Sequence, residues 1–387
     1  MISFILALAV QDFGVEWLDR VTRDREPAKG PLSVRPVESH FQLGALYVYD
    51  TNLYLQPDDR DADNVVIPFL RARMDYAAPR WDAAADVLVN YKRYLDNEDE
   101  SDLEERAYGR IRYVGPKVQL EAAEIFRHES DAIDAQFSDR AERFLSTTSG
   151  RASVEVMPQL TIEANAILGL AFFRDEVLDD SDNWNLRADV GAAWRFMPTL
   201  EFVAHAGWLL IDYQDRGAPD ADGYYARGGV RGDPLQTLSV VVLGGITRVR
   251  SDQVAATGDR EEALTGDVTV NVRWEAMPRV VVWGDYKRQA GFAGPGDPFQ
   301  IINRWVAAAE WQATPKLQVR GRLQHDHVDT ALGIERTYWS LGPSIDYAFS
   351  PELHLDAGAT WRRGDLGAPG DSVFDDVILH VGLVLTR

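Results

Sequence analysis

Chemistry in this 387-residue chain has to come from histidine, serine, carboxylate and guanidinium groups, because it contains no cysteine. That excludes thiolate metal sites, disulfide staples and cysteine nucleophiles. The histidines are His40, His128, His205, His325, His327, His354 and His380. Nucleophilic hydrolysis needs an activated serine within reach of one of them. The sequence holds no Gly-x-Ser-x-Gly elbow, no HExxH and no glycine-rich phosphate cradle. The nearest thing to a constellation is His325-Asp326-His327. On a strand both imidazoles share one face, and two imidazoles with an acid could hold a metal. The plainer reading is a polar strand end running into a loop. We expect no catalytic residue, no metal site and no cofactor.

A second set of side chains suits a different chemistry, the handling of charged solutes. Arg71, Arg73, Arg110, Arg112, Arg187, Arg195, Arg273, Arg304, Arg320 and Arg322 lie in alternating segments, opposite apolar faces. On the same side are the acids Asp75, Asp86, Glu163, Asp189, Glu275, Glu310 and Asp356, with Glu155 and Asp346. One reading is a mutually paired charge lattice that keeps a wall rigid and hydrated. The other is a path for an anionic polymer or solute, because a guanidinium fork binds carboxylate or phosphate bidentately. The formal net charge of −21 argues against nucleic acid as a partner. Asp58, Asp59, Asp61 and Asp63 offer oxygen ligands for calcium, yet lack the spaced loop with central Gly and terminal Glu.

Such residues need an element that turns every second side chain the same way. A recurring turn frames it: AAPRW (Pro79), VGPKV (Pro116), VMPQL (Pro158), FMPTL (Pro198), GDPLQ (Pro234), AMPRV (Pro278), ATPKL (Pro315) and FSPEL (Pro351). Successive prolines lie 37, 42, 40, 36, 44, 37 and 36 residues apart, a repeated supersecondary unit. Each unit holds two long stretches of period-two alternation. Leu160, Ile162, Ala164, Ala166, Leu168 and Leu170 oppose Thr161, Glu163 and Asn165. Leu353, Leu355, Ala357, Ala359 and Trp361 oppose His354, Asp356, Gly358, Thr360 and Arg362. One face suits hydrocarbon, and the other is too charged for a dry core.

The far ends of the units are long and acidic, as in residues 57–64, 95–106, 174–183 and 212–223. Tyr76, Tyr113, Trp194, Phe196, Trp274, Trp311 and Tyr347 each precede a turn proline by two to four residues, as an interfacial girdle would. Tyr91, Tyr94, Phe126, Phe172, Tyr213 and Tyr286 approach the other ends and could form a second girdle. A propeller blade needs four short strands per repeat, and a soluble sandwich would bury its apolar faces against each other. The pattern predicts an all-β fold: a transmembrane antiparallel up-and-down β-barrel of about eighteen strands. Its short Pro-containing turns are periplasmic, its long acidic loops extracellular, and its place is the bacterial outer membrane. A barrel of that size leaves an aqueous channel unless loops fold in. Segments 141–153 and 223–232 alternate poorly and leave the strand count open by two.

The N-terminus reads MISFILALAVQ. Residues 1–9 are expected to be a signal peptide, with the small-x-small pattern Ala7-Leu8-Ala9 but no basic n-region. The alternative is a buried N-terminal segment. Residues 10–38 read as a periplasmic leader or a lumen-entering extension, and residues 39–387 as the barrel.

The hairpins RWEAMPRVVVWGDYKR and EWQATPKLQVRGRLQHD turn on Pro-centred short turns, and FQLGALYVYDTNLYL (41–55) ends in Tyr-Asp-x-Asn. These features resemble the outer-membrane β-barrel porins associated with capsule and exopolysaccharide gene clusters. The resemblance spans residues 36–387. It implies a channel exporting a secreted polysaccharide beside periplasmic export proteins, in contact with the lipid bilayer and lipopolysaccharide. A general or solute-specific diffusion porin is the alternative, and an outer-membrane hydrolase a third reading. The chain departs from many such barrels in ending Leu385-Thr386-Arg387, without a terminal aromatic residue.

Overall fold

Alternating segments pair into long strands in the computed structural model, which describes residues 37–55, 61–130, 132–134, 137–140, 142–174, 182–214, 220–254, 260–291, 299–330, 333, 335–365 and 373–387. The first strands are β1 (Val37–Asp50), β2 (Asp63–Ala77), β3 (Trp81–Tyr94), β4 (Asp102–Val114) and β5 (Val118–Glu129). A small separate hairpin follows, β6 (Ala132–Asp134) with β7 (Phe137–Arg140). The wall continues through β8 (Arg143–Met157), β9 (Leu160–Phe173), β10 (Asn183–Met197), β11 (Leu200–Tyr213), β12 (Ala221–Leu235) and β13 (Leu238–Val254). It is completed by β14 (Arg260–Met277), β15 (Val280–Gly291), β16 (Gln300–Thr314), β17 (Leu317–Thr330), β18 (Glu335–Ala348), β19 (Leu353–Asp365) and β20 (Val373–Thr386).

Eighteen strands form one antiparallel sheet, and β1 pairs with β2 on one side and β20 on the other. Closure leaves no edge and pairs the backbone internally, which is the condition for crossing a membrane with strands. Among the described residues no helix is long and apolar enough to cross one. The expected turns, strand number and barrel closure are all present. The signal peptide and nearly all of the expected leader (residues 1–36) lie outside the described residues.

Because side chains alternate with period two, register fixes what faces out. On β20 the exposed side holds Val377, Leu379, Val381, Leu383 and Leu385, while Ile378, His380, Val384 and Thr386 are buried. The poorly alternating segments belong to β8 and β12. Their outward positions are filled by Ser146, Thr148, Gly150 and Ala152, and by Ala226 and Gly228, so the apolar period is missing from the sequence but present in the backbone. Two expected loops are shorter than foreseen. β4 starts at Asp102 after a single 3-10 turn (Glu98–Glu100), and β11 and β12 leave only residues 214–220 between them.

The interior of β1 to β3 differs from the polar wall expected. Leu46, Val48, Val65, Ile67, Phe69, Leu88 and Tyr94 form an apolar cluster inside the barrel, joined by Ile378 and Val384 of β20. It is covered by residues 51–55, which follow β1 and turn inward. Asn52 N–H donates to Asp50 Oδ1 at 2.9 Å, the Thr51 hydroxyl donates to Asp376 at 3.0 Å, and the Asn52 amide donates to the Asp375 carbonyl at 3.3 Å. That tuck seats Leu53 on the cluster and packs Leu55 against Tyr338 and Phe374. The Tyr-Asp-Thr-Asn segment (49–52) is therefore the hinge that turns the chain inward. Below it, the Phe69 ring lies over Gly44, its directly paired neighbour, where any side chain at 44 would collide with the ring.

Candidate functional site

The register sends every sequence-selected charged residue to the inward side. These are Arg71, Arg73 and Asp75 on β2, Asp86 on β3, and Arg110 and Arg112 on β4. Glu163 follows on β9, and Arg187, Asp189 and Arg195 on β10. The remainder are Arg273 and Glu275 on β14, Arg304 and Glu310 on β16, Arg320 and Arg322 on β17, and Asp356 on β19. Most are paired. Arg71 Nε lies 2.8 Å from Asp86, Arg73 Nε 2.7 Å from Asp75, and Arg110 2.8 Å from Asp82. Arg112 is 3.9 Å from the same Asp82, Arg195 3.4 Å from Glu201, and Arg320 3.9 Å from Glu310. Arg273 lies 3.2 Å from Glu275 at the periplasmic mouth, and Asp356 3.0 Å from His380. Arg322 donates to Gln324 at 2.8 Å. So the interior is in large part a charge lattice, and among the described residues no broad surplus of unpaired arginines lines it.

Within that lattice, strands β9 to β17 carry a denser group at mid-depth. Arg187 and Arg227 both lie over the Tyr225 ring, 4.2 and 5.5 Å from its centroid. The Tyr225 hydroxyl donates to Asp189 at 2.7 Å, Asn165 donates to Asp189 at 2.7 Å, and His205 Nδ1 lies 3.1 Å from it. Arg231 reaches Glu163 at 2.6 Å and Glu201 at 2.9 Å, and Arg151 also meets Glu163, at 3.2 Å. Arg187 leaves its own strand entirely. It reaches Asp267 on β14 at 3.5 Å and Gln289 on β15 at 3.4 Å, a chord across this part of the interior. Lys287 stands directly opposite Arg304 and within electrostatic reach of Arg187 and Arg227. Asp285 lies beside Lys287, and Arg304 forms a double contact with Asp326 at 2.8 Å.

Depth decides what a solute in the channel would meet. The Arg187 side chain is 25% exposed against 3% for Asp267, and Arg227 is 20% exposed against 5% for Asp189. Arg304 shows 15% against 5% for Asp326, whereas Arg231 is deeper-set relative to its partners, 21% exposed against 3% for Glu163 but 21% for Glu201. Short carboxylates stay against the wall and the longer guanidinium stems carry positive charge inward. Nearer the extracellular end the pairs are of another kind. In Lys92–Glu104 (2.9 Å) and Arg143–Glu129 (2.6 Å) both partners are buried, so these brace the wall.

Several members of the dense group were not singled out from sequence: Arg227, Arg231, Tyr225 and Lys287. Arg227 and Arg231 lie in a glycine-rich strand without apolar alternation, although their spacing of four places them on one face. The His325-Asp326-His327 triplet is divided by strand alternation. Both imidazoles face outward, in register with Trp305, Trp339 and Thr337, while Asp326 faces inward onto Arg304. Among the described residues no group of histidines and carboxylates could hold a metal ion. Of the calcium candidates, Asp58 and Asp59 lie outside the described residues, and the buried Asp63 instead accepts backbone N–H groups from Leu95, Asp96 and Asn97 at 2.9–3.1 Å.

At the periplasmic end Tyr76, Trp194, Trp274 and Trp311 are exposed on the outer face. Tyr113 packs on Trp81 at 4.9 Å, Phe196 stacks on Phe202 at 4.1 Å, and Tyr347 meets Phe349 edge-on at 5.2 Å. At the other end Tyr91, Phe126 and Phe172 face outward and Tyr286 pairs with Trp305. Tyr94 and Tyr213 do not join them. Both are buried on the inward side, because they fall at the opposite parity to the outward residues of their strands.

No protein-family model matches the chain, and no curated protein matches it either. Solved structures of similar architecture include outer-membrane porins. A BenF-like porin from Pseudomonas fluorescens Pf-5 superposes with a TM-score of 0.50 at 13% identity, over 91% of this chain and 99% of that one. OccK2 (OpdF) from Pseudomonas aeruginosa gives a TM-score of 0.47 at 14% identity, over 90% and 98%. OccAB1 from Acinetobacter baumannii gives 0.46 at 11%, over 94% and 99%. At these identities the likeness is one of fold. An eighteen-strand closed sheet, apolar outside and charged inside, is a bacterial outer-membrane barrel.

Proposed function

We propose that this channel is a passive diffusion porin for small solutes that favours anions, carboxylates above all. The observation that carries this reading is the difference in depth within the ion pairs of β9 to β17. Arg187, Arg227 and Arg304 extend beyond acids that remain at the wall. Their guanidinium groups are paired and yet keep exposed N–H edges, which suits transient two-point contact with a carboxylate. The partial pairing matters as much as the charge. A bare cluster of cations would trap an anion, whereas carboxylates behind each cation weaken the hold and let the solute leave.

Polysaccharide export, implied by the resemblance in sequence, is the weaker reading. The similar folds include several porins, and no comparison links the chain to capsule or exopolysaccharide clusters. The chord from Arg187 to Asp267 and Gln289 and the inward-turned residues 51–55 occupy part of the interior, which suits small solutes better than a polymer. Osmotic swelling of proteoliposomes separates the two. Glucuronate should enter faster than glucose, and maltoheptaose should be excluded. Equal rates for glucuronate and glucose would remove the anion preference, and entry of maltoheptaose at the glucose rate would restore export.

A further inference from the structure

The outer wall of β15 to β18 carries an aromatic and cationic patch that the channel reading does not use. One row of outward residues in direct register is Tyr286, Trp305, His325 and Trp339. His325 stacks on Trp339 at 4.1 Å, and Trp305 meets Trp339 edge-on at 5.4 Å. The next row toward the loops is Arg288, Asn303, His327 and Thr337, and beyond it, on the β17–β18 side away from Arg288, Asp329 faces Glu335. On β17 the outward column rises through Leu317, Val319, Gly321 and Leu323 before reaching His325 and His327. An apolar band about 25 Å tall, crossed at a tilt of about 40°, takes roughly ten residues of strand. The aromatic row therefore lies at the outer interface, and Arg288 and His327 lie level with the headgroups.

Arg288 differs from other arginines on the outer wall. Arg248 and Arg250 lie 2.6 Å from Glu262 and Asp222, and each is cancelled by its carboxylate. Arg288 donates to the neutral amide oxygen of Asn303 at 2.6 Å, and it meets no carboxylate among the described residues. The amide fixes the guanidinium without neutralising it. We propose that this patch binds a phosphate group of lipopolysaccharide in the outer leaflet. Arg288 is the donor to the phosphate, the Trp305–Trp339 pair packs against the first acyl carbons, and His327, held 3.1 Å from Asp329, is not part of the anion site. The phosphates of that leaflet otherwise need divalent cations, and a fixed guanidinium replaces one of them. The site is on the lipid side of the wall and stands or falls independently of solute selectivity.

The test is titration of the detergent-purified, folded protein with diphosphoryl lipid A and with its dephosphorylated form, followed by native mass spectrometry. Folding of each variant is verified by its heat-modifiable migration. Wild-type protein should bind the diphosphoryl form about tenfold more tightly, Arg288→Glu should abolish that preference, and Arg248→Glu should retain it. Arg288→Gln, which keeps a hydrogen-bonding side chain without the charge, should fall between and serves if the reversal fails to fold. Undiminished preference in the Arg288 variants, or no discrimination by wild-type protein, would overturn the proposal.

Discussion

The chord made by Arg187 offers the sharpest way to examine how the interior selects solutes. Arg187→Gln removes one positive charge from the mid-depth group and also the reach to Asp267, 3.5 Å away on β14. A unit charge about 6 Å from a passing ion contributes about 0.7 kcal/mol in water. At 0.1 M salt the Debye length of about 10 Å roughly halves this, to about 0.4 kcal/mol. That energy favours an anion about twofold and disfavours a cation equally, so the anion-to-cation permeability ratio should fall about fourfold. Reversal potentials across a planar bilayer under a salt gradient read the ratio directly. The companion variant Arg187→Gln/Asp267→Asn removes the buried acid as well. The Thr247 hydroxyl, 3.3 Å from Asp267, can still donate to the oxygen of the amide that replaces the carboxylate. Net charge is then restored, but the acid sits deeper in the wall than the arginine it pairs with, so the ratio should recover only part of the way toward the wild-type value, while single-channel conductance rises because the chord is gone. A single variant with unchanged ratio, or a double variant shifted as far as the single, would refute the fixed-charge reasoning.

Other consequences concern the wall and the loops. Arg143→Leu leaves Glu129 buried without its 2.6 Å partner and should cost about 3–5 kcal/mol in denaturant unfolding, whereas Arg143→Leu/Glu129→Leu should be near neutral. Leu55→Asp should release the first loop from Tyr338 and Phe374, raising current noise and exposing that loop to added protease on intact cells. Asp63→Ala strips the acceptor shared by Leu95, Asp96 and Asn97 and should make the β3–β4 loop the first site of limited proteolysis, with channel selectivity unchanged.

The wall was legible because period-two alternation and Pro-centred turns are local signals, set by which residues face lipid and where the chain reverses. Arg187, Asp189 and Glu163 were legible for the same reason. What lay beyond the sequence depends on register or on side-chain reach. Leu53 and Leu55 continue the alternation of β1 and read as strand, yet the bonds of Asn52 to Asp50 and Asp375 turn them into the interior. Tyr94 and Tyr213 have the composition of girdle residues, and only strand parity sends them inward. Arg227 and Arg231 are hidden among glycines. The pairing of Arg187 with strands four and five places further along the sheet follows from the curvature of a closed barrel, which no local pattern encodes.

The most direct test of the channel itself is the zero-current potential of single wild-type barrels, verified as folded, in a planar bilayer under a tenfold potassium chloride gradient. The account predicts discrete open steps and a potential displaced toward that of chloride. Folded barrels that stay silent, or a potential displaced toward that of potassium, would contradict it.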